Sequence, residues 1–288
     1  TASHPNPVLA SGDGKDREPT ARGEGIAVDI AAPAPGKTKM TAPARWALNR
    51  QLALHLRDLS PSAGHAHRSP GMIKMEEIES DFGIINILKN RSTGALIYDV
   101  DGSSQSVAYG QGTSMASYIH AFFGLLTQAK ARNILLIGCG GGTLATMLAR
   151  ARRNVTMVDI NPASFTLAKR YFGLPDSVVC HIEDGKSFLR KATATYDAIV
   201  LDAFLGDHIP LHLSSLRFFE LARDHLTARG AVFANVVVKN DFDDKADRVA
   251  HAMTKVWSNV RVLDSERVLG RNAIAMAGRV GHLRAPYV

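Results

Sequence analysis

The stretch Asn133-Ile134-Leu135-Leu136-Ile137-Gly138-Cys139-Gly140-Gly141-Gly142-Thr143 decides the fold. A short, largely apolar run enters a cluster of glycines, and Leu144-Ala145-Thr146-Met147-Leu148-Ala149 then continues with good helix formers. The pattern predicts a buried strand, a tight turn and a helix N-terminus, the arrangement that receives the anionic or polar end of a nucleotide-type ligand. Glycine belongs in such a turn because the backbone adopts unusual dihedral angles and a ligand can approach with no Cβ in its way.

Downstream, strands and helices alternate, which argues for a doubly wound α/β sheet. The predicted strands are 134–137, 155–158, 178–182, 198–201 and 231–238, with helices beginning near Gly142, Pro162, Lys186 and Ser214 or Ser215. After a helix over 244–257, strands 260–263 and 273–277 close the edge as an antiparallel pair. Five parallel strands and a terminal antiparallel pair form the layout of a class I nucleoside-dependent transferase rather than of a dehydrogenase. Upstream of this Rossmann-like unit (113–288), runs 82–88, 95–100 and 106–109 are apolar or β-branched. They are separated by the turn formers Asn90-Arg91-Ser92-Thr93-Gly94 and Asp101-Gly102, which predicts a small antiparallel β-meander within 72–112. A helix over 114–129 follows, with Tyr118, Phe122, Leu125 and Leu126 facing inward.

Residues 1–71 have a different texture: they hold eight of the twelve prolines, many Ala, Ser and Gly, and little periodicity. That composition predicts a disordered extension, because too little apolar surface is available to offset the entropy of ordering. Within it, Leu48, Leu52, Leu56 and Leu59 share one face of a candidate helix over 44–59, and Met72 is a candidate natural start, with everything before it an extension. No apolar run approaches the roughly 20 residues of a membrane span, and no uninterrupted apolar core of a secretory signal is present. The net charge of +7 is dispersed without a long Lys/Arg run, so nucleic acid is not an expected partner. Cys139 and Cys180 read as buried, reduced thiols of a cytoplasmic protein.

The carboxyl ends of the strands line the ligand crevice in such a sheet. In order they carry Gly138, Gly140 and Gly142, then Asp159, then Asp184-Gly185, then Asp202. A carboxylate at Asp159 offers two acceptor oxygens and no donor, which suits both hydroxyls of a ribose. Asp184 stands where an adenine amino group can donate to it; a helix N-cap is the alternative for it, as it is for Asp159 ahead of Asn161-Pro162. Gly138-x-Gly140-x-x-Thr143 lacks the third glycine of the dinucleotide fingerprint. S-adenosylmethionine or a relative is therefore favoured over a nicotinamide cofactor. His208 and His212 have the spacing of a helical metal pair, but Pro210 interrupts the helix and no third ligand is evident, so no metal is expected.

Several separate motifs are similar to the spermidine synthase superfamily, in its spermidine-synthase-like branch. They are Glu79-Ser80-Asp81-Phe82-Gly83-Ile84, Asp101-Gly102-Ser103-Ser104-Gln105-Ser106, the glycine turn, Val158-Asp159-Ile160, Glu183-Asp184-Gly185, and Tyr196-Asp197 through Asp202-Ala203-Phe204. The resemblance implies a class I S-adenosylmethionine-dependent transferase fold and a homodimer. It implies that Gln105 and the glycine turn face the sulfonium of decarboxylated S-adenosylmethionine, with Asp159-Ile160 at the ribose and Asp184-Gly185 at the adenine. It further implies that Asp202 takes a proton from the attacking amine, because an ammonium is no nucleophile. Three positions depart from the family pattern. Gly141 stands where an acid grips the cofactor's free amine, Leu205 where the second of an acidic pair follows strand four, and Tyr118-Ile119-His120-Ala121 lacks the acid of a Tyr-His-Glu stretch. Asp207 is the candidate substitute for the missing acid, with Tyr118 beside the amine. The expected activity is aminopropyl transfer to an amine or polyamine. Methyl transfer from intact S-adenosylmethionine and a catalytically idle, nucleoside-binding relative stand as alternatives.

Overall fold

The computed structural model describes residues 30–31, 71–264 and 271–286. The extension read over 1–71 and its candidate helix over 44–59 lie outside the described residues, apart from Gly71 and the short strand β1 (Ile30–Ala31). Two sheets carry the architecture. The first is an antiparallel meander of five strands: β2 (Met72–Ser80), β3 (Gly83–Asn90), β4 (Leu96–Val100), β5 (Ser103–Tyr109) and β6 (Thr113–Ser114). The sequence reading foresaw its three inner strands and missed β2 and β6. β2 escapes the apolar test because it is an edge strand whose charged residues Lys74, Glu76, Glu77 and Glu79 blunt an exposed ladder.

The second sheet is built on β7 (Asn133–Ile137), β8 (Asn154–Asp159), β9 (Val179–Ile182), β10 (Tyr196–Leu201) and β11 (Leu226–Val238), which run parallel to one another. β12 (Asn259–Leu263) and β13 (Arg271–Gly278) complete it, with β13 antiparallel to both β11 and β12. The order is β1-β12-β13-β11-β10-β7-β8-β9. The sequence therefore leaves β7 for β8 and β9 on one side and for β10 and β11 on the other, and the crevice opens where the direction reverses.

Strand alternation divides the core into two layers. Ile134, Leu136, Ala198, Val200, Ala231 and Phe233 face α1 (Ser117–Gln128), α2 (Thr143–Arg150) and one side of α3 (Pro162–Phe172). Leu135, Ile137, Ile199, Leu201, Val232 and Ala234 face α4 (Gly185–Lys191), α5 (Leu216–Asp224) and α6 (Lys245–Thr254). Every central strand is thus apolar on both faces, which is why these stretches read as continuous hydrophobic runs.

The meander is packed against helix α3. Ile85, Ile87, Tyr98 and Ala108 enclose Leu167 and Phe172 of α3. Arg170 grips Glu76 with two bonds of 2.7 and 2.8 Å, and the Tyr98 hydroxyl lies 3.1 Å from Ser164 Oγ. Among the described residues no helix is long and apolar enough to cross a membrane.

Candidate active site

The carboxyl ends of β7, β8 and β10 are fastened to one another by the backbone. Gly138 N–H donates to Val158 O (2.8 Å), and Asp202 N–H donates to Ile137 O (2.8 Å). Gly138 has φ +103°, and a Cβ built there would penetrate the backbone of Asp202. This glycine therefore serves chain packing, bringing the turn against the end of β10. Gly142 (φ +65°) occupies the N-cap position of α2.

Asp159, at the end of β8, is held by the turn it faces. Cys139 N–H donates to its Oδ2 (2.7 Å) and Asn161 N–H to its Oδ1 (2.8 Å). Burial pushes its pKa up, while these two backbone donors oppose the rise. Each oxygen keeps a further lone pair, so the group can still accept from a diol. Asn161, not Asp159, caps α3, accepting from Ala163 N–H at 3.1 Å. Ile160 beside it is half exposed.

Asp184 does cap α4, its Oδ1 accepting from Ser187 N–H at 2.9 Å. Its Oδ2 takes His212 Nε2 at 2.6 Å. Burial works to raise the Asp184 pKa, but His212 and Ser187 outweigh it and the carboxyl titrates below its ordinary range. Gly185 lies against Ile137 with no room for a side chain.

Asp202 lies at the end of β10, and burial pushes its pKa up to about 7 against the opposing bond from Asn235 Nδ2 at 2.7 Å. It borders a small cavity together with Ser106, Gly138, Cys139 and Thr143. Tyr118 enters from α1. Burial raises its pKa well above the ordinary tyrosine value, and the charge of Asp202 adds to the rise. Gln105 lies beside Gly140, its amide 3.4 Å from Ser103 Oγ.

Asp207 is already paired with cations of the chain itself. Its carboxylate sits 3.1 Å from both Lys245 Nζ and Lys239 Nζ, with His208 Nδ1 at 3.5 Å, and Lys245, then Lys239, hold its pKa well below the carboxylate range. The protein's own cations thus already occupy the carboxylate assigned to a cationic amine. His208 and His212 go to different acids, and among the described residues no three His, Cys, Asp or Glu side chains form a metal cluster. Cys139 and Cys180 are free thiols and partly buried, where buried thiols were expected.

The methyltransferase small-domain family matches residues 119–268. The chain belongs to that family. The motifs resemble the spermidine synthase superfamily, and relatives named polyamine aminopropyltransferase support that resemblance. A "probable polyamine aminopropyl transferase" of Bifidobacterium longum is 33% identical over 140 residues, 48% of this chain and 31% of that protein. A polyamine aminopropyltransferase of Vibrio vulnificus is 34% identical over 119 residues, 39% of this chain and 40% of that protein. The matched stretch thus spans well under half the length of either relative. In structure, a "probable spermidine synthase" of Corynebacterium glutamicum superimposes with a TM-score of 0.62 at 21% identity, covering 70% of this chain and 79% of that one. That likeness establishes a shared fold.

Two features of this methyltransferase small-domain site escaped the sequence reading. Ser106 Oγ accepts from Gly141 N–H at 3.0 Å and so ties the meander to the glycine turn. Its neighbour Gln105 drew attention through motif likeness, whereas Ser106 offered only its position one residue further along. A Cβ at Gly141 would meet Ser106 at 3.0 Å and the Phe172 ring at 3.1 Å, so the absence of an acid at 141 is built into the packing. The second feature is Asn235, a fully buried polar residue within the apolar run 231–238 of β11.

Proposed function

We propose that this chain transfers an alkyl group from an S-adenosylmethionine-type sulfonium to an amine, with Asp202 as general base and decarboxylated S-adenosylmethionine as donor. The observation that carries the reading is the partly buried Asp202 carboxylate at the end of β10, bordering the cavity by the glycine turn and bonded by Asn235, where burial pushes its pKa up to about 7. Such a group is poised to accept a proton near neutral pH, whereas an ordinary aspartate is too weak a base. The curated relatives named polyamine aminopropyltransferase support the same reaction class.

The residues fit a nucleoside donor. Asp159 keeps acceptor capacity for a ribose, Ile160 offers an apolar surface for a base, and Gly138, Gly140, Gly142 and Gln105 border the sulfonium side. Asp184, with Gly185 behind it, keeps a lone pair on each oxygen beyond its Ser187 and His212 bonds and can accept from an adenine amino group. When bound, the sulfonium supplies an electrophilic carbon and a neutral thioether leaving group. Asp202 orients the amine and takes its proton as the new N–C bond forms and the C–S electron pair returns to sulfur. Tyr118, which keeps its proton, lines the acceptor side.

Methyl transfer is the second reading, and Gly141 favours it, because the carboxylate that would hold a donor's free aminopropyl amine is missing. Titration calorimetry of the two sulfonium forms separates the readings. The proposal expects the decarboxylated form to bind at least about tenfold more tightly, about 1.4 kcal/mol. Tighter binding of intact S-adenosylmethionine would replace aminopropyl with methyl transfer, and binding of neither would remove the nucleoside assignment.

A further inference from the structure

Three residues on neighbouring strands converge behind the Asp202 carboxylate. Leu201 pairs with Ala234, so Asp202 comes to lie beside Asn235 of β11. Asn235 pairs with Ile274 and Val237 with Asn272, which puts Asn272 of β13 diagonally across from Asn235. Strand alternation sets all three on the face covered by α1, the face that also carries Val200, Phe233 and Ile274. The contacts follow in sequence: Asn235 Nδ2 donates to Asp202 Oδ1 at 2.7 Å, and Asn272 Nδ2 donates to Asn235 Oδ1 at 2.9 Å. Asn235 is fully buried, so neither end of its amide can turn to solvent.

The sense of this chain of bonds matters. An ionised carboxylate only accepts, so it needs the amide nitrogen facing it; a protonated carboxyl would be served as well by the amide oxygen. By donating to that oxygen, Asn272 holds it away from Asp202 and keeps the amide in the orientation that suits the ionised form. The titratable groups facing Asp202 from the packed elements are Tyr118 of α1 and Cys139 of the glycine turn, and burial keeps both neutral. Arg271, next to Asn272 in β13, is committed to Asp264 and Asp241.

We infer that Asn235, braced by Asn272, is a positioning pair that fixes the Asp202 carboxylate and holds it ionised for proton acceptance. The inference rests on the reading of Asp202 as the base. It is tested on the full chain by carbon-13 NMR titration of the aspartate carboxyls, with Asp202→Asn identifying the Asp202 signal. Asn235→Leu is expected to move the Asp202 midpoint upward by about one unit, and Asn272→Ala to move it the same way by about half a unit. The acidic limb of kcat/KM, measured with decarboxylated S-adenosylmethionine and a short diamine, should move with it. Should Asn235→Leu lose its cooperative melt, the less buried Asn272→Ala carries the test. An Asp202 midpoint unchanged in the folded variants overturns the inference. A midpoint that moves while the kinetic limb stays in place leaves the hold on Asp202 standing and removes its role as base.

Discussion

Asp202→Asn is expected to lower turnover by about a thousandfold while making the protein more stable at pH 8. The first effect follows from losing the proton acceptor, since a positioned general base contributes about 10²- to 10⁴-fold. The second follows from linkage. Burial lifts the Asp202 pKa to about 7 in the folded chain from an ordinary 3.8, so the folded state binds this proton more tightly than the unfolded state does. Stability arising from this group therefore falls as pH rises from about 4 to about 7, and is level above that. Asparagine has no proton to lose. The variant should gain on the order of 2–4 kcal/mol over the parent at pH 8, with the gap closing toward pH 4. Denaturant melts at both pH values read the difference. Equal stability at pH 8 would mean that the carboxylate is not desolvated as described, and unchanged turnover would take the base away from Asp202.

Gly138→Ala should damage stability and activity together. At φ +103° a side chain is strained, and the methyl group would enter the space of the Asp202 carbonyl and the Ala203 amide. Backbone cannot swing aside as a side chain can, so the expected destabilisation is about 3 kcal/mol or more. Any relief must displace the end of β10, and a small misplacement of the reacting geometry can cost about a hundredfold in rate. Gly206→Ala is the control: it also has positive φ (+65°), but nothing lies within 4 Å of the added carbon. Its cost should be about 1 kcal/mol. Similar melting for the two variants would refute the packing role given to Gly138.

The contrast between these two glycines marks what a sequence can disclose. The run from Asn133 to Thr143 announces strand, turn and helix because local chemistry allows little else. Asp159 and Asp202 are legible because strand ends follow directly from such runs. Partners brought from far along the chain are not legible. Lys239 and Lys245 reach Asp207 from 32 and 38 residues away, and nothing local to Asp207 signals that its charge is already answered. Asn235 looks like a blemish in an apolar strand until the β10–β11 register sets it against Asp202. Asp184 lay open between ligand contact and helix cap, and only the Ser187 and His212 bonds show how it is engaged in the folded chain. β2 was missed for a related reason, since an edge strand lacks the apolar run by which the inner strands declare themselves.

Identifying the nucleoside product tests whether Asp202 serves alkyl transfer from a decarboxylated sulfonium to an amine. The full chain is incubated at pH 8 with decarboxylated S-adenosylmethionine, intact S-adenosylmethionine and a short aliphatic diamine, and the nucleosides are resolved by mass spectrometry. Which carbon–sulfur bond breaks is written in the product. The expected result is methylthioadenosine together with an aminopropylated amine, both lost in Asp202→Asn. S-adenosylhomocysteine in its place, or no nucleoside product at all, would contradict it.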